Sequence, residues 1–187
     1  MDITEATDRE LLRAHVGGDR DAFGVLFRRH YRSLWQLALR TCRFPEDAAD
    51  CLQDALLSAH RNAAAFRGDA EVRSWLHRIV VNACLDRMRR NKTRQSVSLS
   101  DEAVAEPADE HDHFAHREVS MVIDAALRRL PDDQRTALVA VDMEGYSVAE
   151  AAQLLGVAEG TIKSRCSRGR QRLQQELVFL RDPGNRV

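Results

Sequence analysis

With 187 residues, 44% of them hydrophobic, the chain is long enough for one domain or for two small ones with real cores. Its 28 basic and 29 acidic residues nearly cancel, to a net charge of −1, which excludes a uniformly basic nucleic-acid coat. No apolar run approaches the roughly 20 residues of a membrane span, and the polar start MDITEATDRELL is unlike a secretory leader, so a cytoplasmic protein without membrane insertion is expected.

Apolar residues recur at helical spacing throughout, and no alternating run flanked by hairpin turns is present, so the predicted fold class is all-α. A short helix is expected from Asp8 to Val16, ended by Gly17-Gly18, then a long one from Asp19 or Arg20 to Cys42, ahead of Pro45. A third spans Glu46 to Asn62, and a fourth follows the loop Phe66-Arg67-Gly68-Asp69, from Glu71 to Arg90. The stretch from Gln95 to Asp112 is rich in Ser, Ala, Pro and acids and lacks periodicity, so it reads as a linker. Beyond it a helix runs from Phe114 to Leu130, breaks at Pro131, and continues from Asp132 to Met143, closed by Gly145. The tail around Asp182-Pro183-Gly184-Asn185 is expected to fray. Two lobes follow from this layout, residues 1–94 and 114–187, joined by a tether at 95–113.

Charge is unevenly placed. Arg87, Arg89, Arg90, Lys92 and Arg94 make one basic run and Lys163 to Arg172 another, whereas Gln95 to His113 holds six acids and no Lys or Arg. Cys42, Cys51, Cys84 and Cys166 have no C-x-x-C spacing and fall in helical patterns, so reduced thiols are expected in place of a disulfide framework or paired ligation. His111, His113 and His116 lack a partner cysteine, and no metal site or cofactor is predicted.

The segment Ser147–Leu173, SVAEAAQLLGVAEGTIKSRCSRGRQRL, carries the densest information. Ser147 and Glu150 form an S-x-x-E capping box, and Val148, Ala151, Ala152 and Leu155 repeat with the rhythm of an amphipathic helix. Gly156 supplies a turn, Ala152 leaves room for a crossing helix, and Val157 and Ile162 anchor that helix to the core. Lys163, Ser164, Arg165, Arg168, Arg170 and Arg172 occupy the rest of its surface. This is the pattern of a helix-turn-helix whose second helix enters a major groove. A helical hairpin with a merely solvated basic face would share the apolar rhythm but has no need of small residues at these offsets. Ala158 stands where a Ser or Thr would cap the second helix, which forgoes about 0.5–2 kcal/mol.

In the fourth helix, Val72, Leu76, Ile79, Val80 and Ala83 form one apolar stripe. Trp75, Arg78, Asn82, Asp86 and Arg89 form another, rotated from it by about 100°. Aromatic, amide and cationic groups together suit single-stranded or distorted DNA; equally, Trp75 could be core and the arginines solvated. In the third helix Ala48, Leu52, Ala55, Leu56 and Ala59 can pack inward, leaving Asp50, Gln53, Asp54 and Leu57 to another surface.

Three ordered motifs resemble one family, the extracytoplasmic function (ECF) sigma factors, alternative sigma subunits of bacterial RNA polymerase. Glu46-Asp47-Ala48-Ala49-Asp50-Cys51-Leu52-Gln53-Asp54 resembles the core-binding stretch E-D-A-x-D-L-V-Q-E, with Cys51 in place of an apolar residue and Asp54 in place of Glu. Ser74 to Asp86 resembles the helix W-L-x-x-I-x-x-N-x-x-x-D, and Leu130-Pro131 with Ser147–Leu173 resembles the C-terminal domain. The resemblance implies that residues 1–94 are sigma domain 2, binding the polymerase clamp helices through Asp50, Leu52, Gln53, Asp54 and Leu57. The −10 element would meet Phe66, Arg67, Gly68, Asp69, Trp75, Arg78, Asn82 and Arg89, with a flipped nontemplate base held by the loop and Asn82. Residues 114–187 would be domain 4, docking on the polymerase flap and reading the −35 element with Thr161, Lys163, Ser164, Ser167, Arg168 and Arg170. The acidic tether, about 3.3 Å per residue when stretched, would thread between the two promoter boxes, either as a mimic of nascent RNA or as a solvated linker. No domain 3 fits between the lobes, and the resemblance implies an anti-sigma partner.

Two other function classes remain open on the residues alone. A free-standing helix-turn-helix regulator would share the second lobe but lack the Asp50–Asp54 and Trp75–Asp86 constellations. An enzyme would need a phosphate loop, metal spacing or nucleophile arrangement; none is found, and no catalytic residue is predicted.

Overall fold

The computed structural model describes residues 5–42, 44–95 and 114–177, and side chains between 92 and 120 fall outside what it describes. The described residues form eight α-helices and no strand: α1 (Asp8–Val16), α2 (Ala22–Thr41), α3 (Pro45–Asn62), α4 (Val72–Gln95), α5 (Phe114–Arg128), α6 (Asp132–Leu138), α7 (Val148–Leu155) and α8 (Glu159–Glu176). They divide into two compact units. The first holds α1, α3, α4 and α2 as far as Leu39; the second holds α5 to α8, with residues 40–43 counted to it. The tether 96–113 and the tail beyond 177 lie outside the described residues.

Local chemistry explains where the helices start. Thr7 caps α1 in a reciprocal box with Glu10, whose carboxylate accepts the Thr7 amide at 2.7 Å. The Thr7 hydrogen bonds hold the Glu10 carboxyl below its ordinary pKa. Pro45 opens α3, its missing N–H costing nothing in a first turn. Asp8 then ties α1 to α2 through Arg29 and His30, each at 2.6 Å.

The core of the first unit gathers Leu11 and Leu12 of α1, Leu26, Leu34 and Leu37 of α2, and Cys51, Leu52 and Ala55 of α3. From α4 it takes Val72, Leu76, Val80, Val81, Cys84 and Leu85. The expected α4 stripe is therefore shifted: Ile79 and Ala83 are only half-buried, while His77, Val81, Cys84 and Leu85 turn inward. The reason is that α4 presents a broad face to its neighbours, wider than the single stripe that a periodicity count picks out.

In the second unit, the helix expected to run to Met143 is regular only to Leu138. From Val139 to Met143 it widens into a π-type turn, with the Glu144 amide reaching back to the Val139 carbonyl at 2.9 Å. Seven consecutive residues, Gln134 to Ala140, are buried here, so the end of α6 and the start of the π-type turn are covered on every side and no amphipathic rhythm could mark the boundary.

Candidate nucleic-acid interface

The helix-turn-helix forms as its residues dictate. Ser147 Oγ accepts the Glu150 amide at 3.2 Å, and Glu150 Oε2 accepts the Ser147 amide at 2.9 Å. Gly156 ends α7 in the left-handed conformation (φ 64, ψ 38), where a side chain would be strained, and the Val157 amide then reaches the Ala152 carbonyl at 3.0 Å. Ala158 begins α8 without a side-chain cap, as its methyl group requires. Ala151, Ala152, Ile162 and Cys166 bind the two helices into a core with Leu127, Leu130, Ala137, Leu138 and Ala140.

Gly169 is the closest approach. A Cβ there would sit 2.6 Å from Leu138 Cδ1 and 3.1 Å from its Cγ, so any larger residue at this position requires the Leu138 side chain to shift. Burial raises the pKa of the Cys166 thiol, Asp142 adding to the effect and Arg170 opposing it, which keeps the sulfur protonated and unreactive.

The outward face of α8 is polar and cationic. Lys163, Ser164, Ser167, Arg168 and Arg172 are exposed, and Thr161 is half-buried at its start. Two other cations are engaged within the unit: Arg165 Nε lies 3.2 Å from Asp133, and Arg170 donates to both oxygens of Asp142 at 2.8 and 2.6 Å. The sequence singled out Arg170 as a DNA contact and gave no sign of Asp142, which is 28 residues away.

In the first unit, α3 and α4 each turn one face outward. Asp50, Gln53, Asp54 and Leu57 are exposed on α3, Leu57 to 48%. Leu52, grouped with them by resemblance, is instead buried at 4% and belongs to the core. Arg78, Asn82, Asp86 and Arg89 are exposed on α4, with Asp86 and Arg89 paired at 3.0 Å. Trp75 is half-buried against Phe66, ring centroids 5.4 Å apart, so it serves packing and surface together.

The loop between α3 and α4 exposes Arg67 and Asp69, and Arg9 of α1 reaches the Gly68 carbonyl at 3.3 Å and Glu71 at 3.6 Å. Beside it lies a cavity of about 260 Å³, lined by Leu12, Val16 and Phe66 with Arg9, Arg13 and Arg67. No local signal could have linked Arg9 to a loop 59 residues away. Nor does spacing reveal that Cys51 and Cys84, on α3 and α4, bring their sulfurs within 4.8 Å.

The chain matches the Sigma-70 region 2 family over residues 26–94 and the Sigma-70, region 4 family over residues 120–173. It is 58% identical over 176 residues to the ECF RNA polymerase sigma factor SigM of Mycobacterium tuberculosis, spanning 94% of this chain and 87% of that one. Among solved structures it is similar to the sigma factor RpoE of Bartonella quintana, determined with the anti-sigma factor NepR. The TM-score is 0.60 at 28% identity, over 84% of this chain and 97% of that one. CnrH, determined with the cytosolic domain of CnrY, gives 0.56 at 27% identity, over 92% and 97%. The chain belongs to the ECF sigma factors: a non-enzymatic, promoter-recognising subunit of RNA polymerase that directs transcription initiation, built from helical region 2 and region 4 domains.

Proposed function

We propose that the work is divided by residue range, with 1–94 binding core polymerase and the −10 element, 114–187 reading the −35 element, and 95–113 connecting them. The observation that carries this reading is the segregation of exposed chemistry. Acids, an amide and Leu57 face outward from α3, a mixed amide and cationic stripe faces outward from α4, and cations with small hydroxyls face outward from α8. Asp50, Gln53, Asp54 and Leu57 meet the clamp helices. Trp75, Arg78, Asn82 and Arg89, with Phe66, Arg67, Gly68 and Asp69, engage the opened −10 strand. Bases stack on aromatic rings and arginines hold phosphates there. Lys163, Ser164, Ser167 and Arg168, with Thr161 behind them, enter the −35 major groove, where arginine discriminates guanine best.

RpoE and CnrH were each solved with a protein partner, and an anti-sigma factor covering the polymerase-binding faces is proposed here too, together with action in the cytoplasm. No helix among the described residues is long and apolar enough to cross a membrane. The test is reconstitution. Purified chain plus core polymerase initiates at a cognate promoter and neither does so alone; full reporter output from Asp54→Ala and Arg168→Ala together would overturn the reading.

A further inference from the structure

Cys51 and Cys84 meet between the packed helices α3 and α4, with their sulfurs within 4.8 Å and both residues fully buried. Cys51 shares its stripe of α3 with Ala48 and Ala55, and Cys84 shares its stripe of α4 with Val80 and Val81, all of them buried, so both thiols stand among apolar neighbours. The Cys51 sulfur is directed at the backbone of α4, 3.8 Å from the Ala83 carbonyl. At the edge of this contact Arg87 of α4 bridges Asp47 and Asp50 of α3, through Nε at 2.8 Å and Nη2 at 2.7 Å. The Arg87 pKa is raised, chiefly by the Asp47 hydrogen bond and in smaller part by the charges of Asp47, Asp50 and Cys51, which puts a cation within electrostatic reach of the Cys51 sulfur.

We propose that Cys51 and Cys84 form a buried site for one soft monovalent cation of the Cu(I) class, which clasps α3 to α4. Metal–thiolate bonds are about 2.3 Å long, so two sulfurs on opposite sides of one ion stand roughly 4.6 Å apart, inside the separation found here. Sulfur ligands select soft ions. Structural zinc closes with four ligands and calcium or magnesium with oxygens, whereas Cu(I) is satisfied by two thiolates in a line. Binding displaces one thiol proton from each sulfur to solvent, so the ion and its two thiolates together carry one negative charge. Arg87 lies where it balances that charge. Cys51 sits between Asp50 and Leu52, so the ion fixes α3 directly beneath its exposed acids.

The test uses the full chain, reduced and kept from oxygen, titrated with Cu(I) held in a coloured chelator complex. Uptake is read from loss of that colour, and melting is followed by circular dichroism. One equivalent per chain is expected to leave the chelator, with a rise in melting temperature of about 5 °C or more. Cys51→Val, which supplies an apolar side chain of similar size, and Cys84→Ala are each expected to keep the helical spectrum and to lose both effects. Cys42→Ala with Cys166→Ala removes the other two cysteines and is expected to keep both. In that background X-ray absorption at the copper edge is expected to show two sulfur ligands per ion. No uptake, uptake that survives Cys51→Val or Cys84→Ala, or uptake that disappears with Cys42 and Cys166 overturns the proposal. Zn(II) at the same free concentration is expected to leave the melting temperature unchanged, and an equal rise overturns the assignment to a soft monovalent ion.

Discussion

Arg170 grips both carboxylate oxygens of Asp142, at 2.8 and 2.6 Å, and so ties the middle of α8 to the π-type turn that leads into α7. The Asp142 bond raises the pKa of a guanidinium that is already charged. Arg170 is thus held by a carboxylate in the free chain, whereas Lys163 and Arg168 on the same helix are exposed, Arg168 donating Nε to the Ser164 carbonyl of its own helix at 3.3 Å. The expected outcome is a split. Arg168→Ala lowers −35 duplex affinity by about 1–3 kcal/mol and relaxes base preference. Arg170→Gln lowers melting stability by about 0.5–1 kcal/mol with the preference kept. Binding to a set of duplexes with single −35 substitutions, alongside thermal melts, distinguishes the two.

Gly169→Ala tests how closely α8 packs. The new methyl group meets Leu138, itself 2% exposed and held in the core. Overpacking of this kind costs about 1–3 kcal/mol, and the better helix propensity of alanine returns about 1 kcal/mol. A net loss of stability is expected in denaturant unfolding of the second unit, and an unchanged or higher midpoint would contradict the packing described.

Two caps should move stability in opposite directions. Ser147→Ala removes an oxygen bonded to the Glu150 amide and is expected to cost about 1 kcal/mol. Ala158→Ser supplies α8 with the cap it lacks and should add stability of similar size. Melting temperatures of the two variants check the signs.

Cys166 should impose an alkaline limit on stability. Its folded pKa lies above the ordinary 9.0 because burial disfavours the thiolate. Below that ordinary value both states hold the proton and its contribution is fully present. As pH rises past it the unfolded chain deprotonates first, and stability falls until the folded pKa is reached, by at most about 1.4 kcal/mol per pH unit. Unfolding free energies measured above pH 9 should decline for the parent chain and decline less for Cys166→Ala.

Much of this was legible in the residues because caps and stops act over three or four positions. The limits of α1, the Ser147–Glu150 box, the turn at Gly156 and the uncapped Ala158 all follow from local hydrogen bonding and backbone freedom, which neighbours along the chain decide. The outward set of α8, Lys163, Ser164, Ser167 and Arg168, follows equally from helical phase. Phase was a poorer guide to α4, where burial of His77, Val81, Cys84 and Leu85 is set by what surrounds the helix.

The chain's order of residues thus determined where each helix begins, which face is polar, and that two cationic runs flank an acidic one. Only the tertiary structure decided which of those charges are taken. Arg87 belongs with Asp47 and Asp50, Arg90 with Asp54, and Arg170 with Asp142. The reason is physical: a charge chooses its partner by distance across packed helices, and separations of 28 to 40 residues leave no trace in local periodicity.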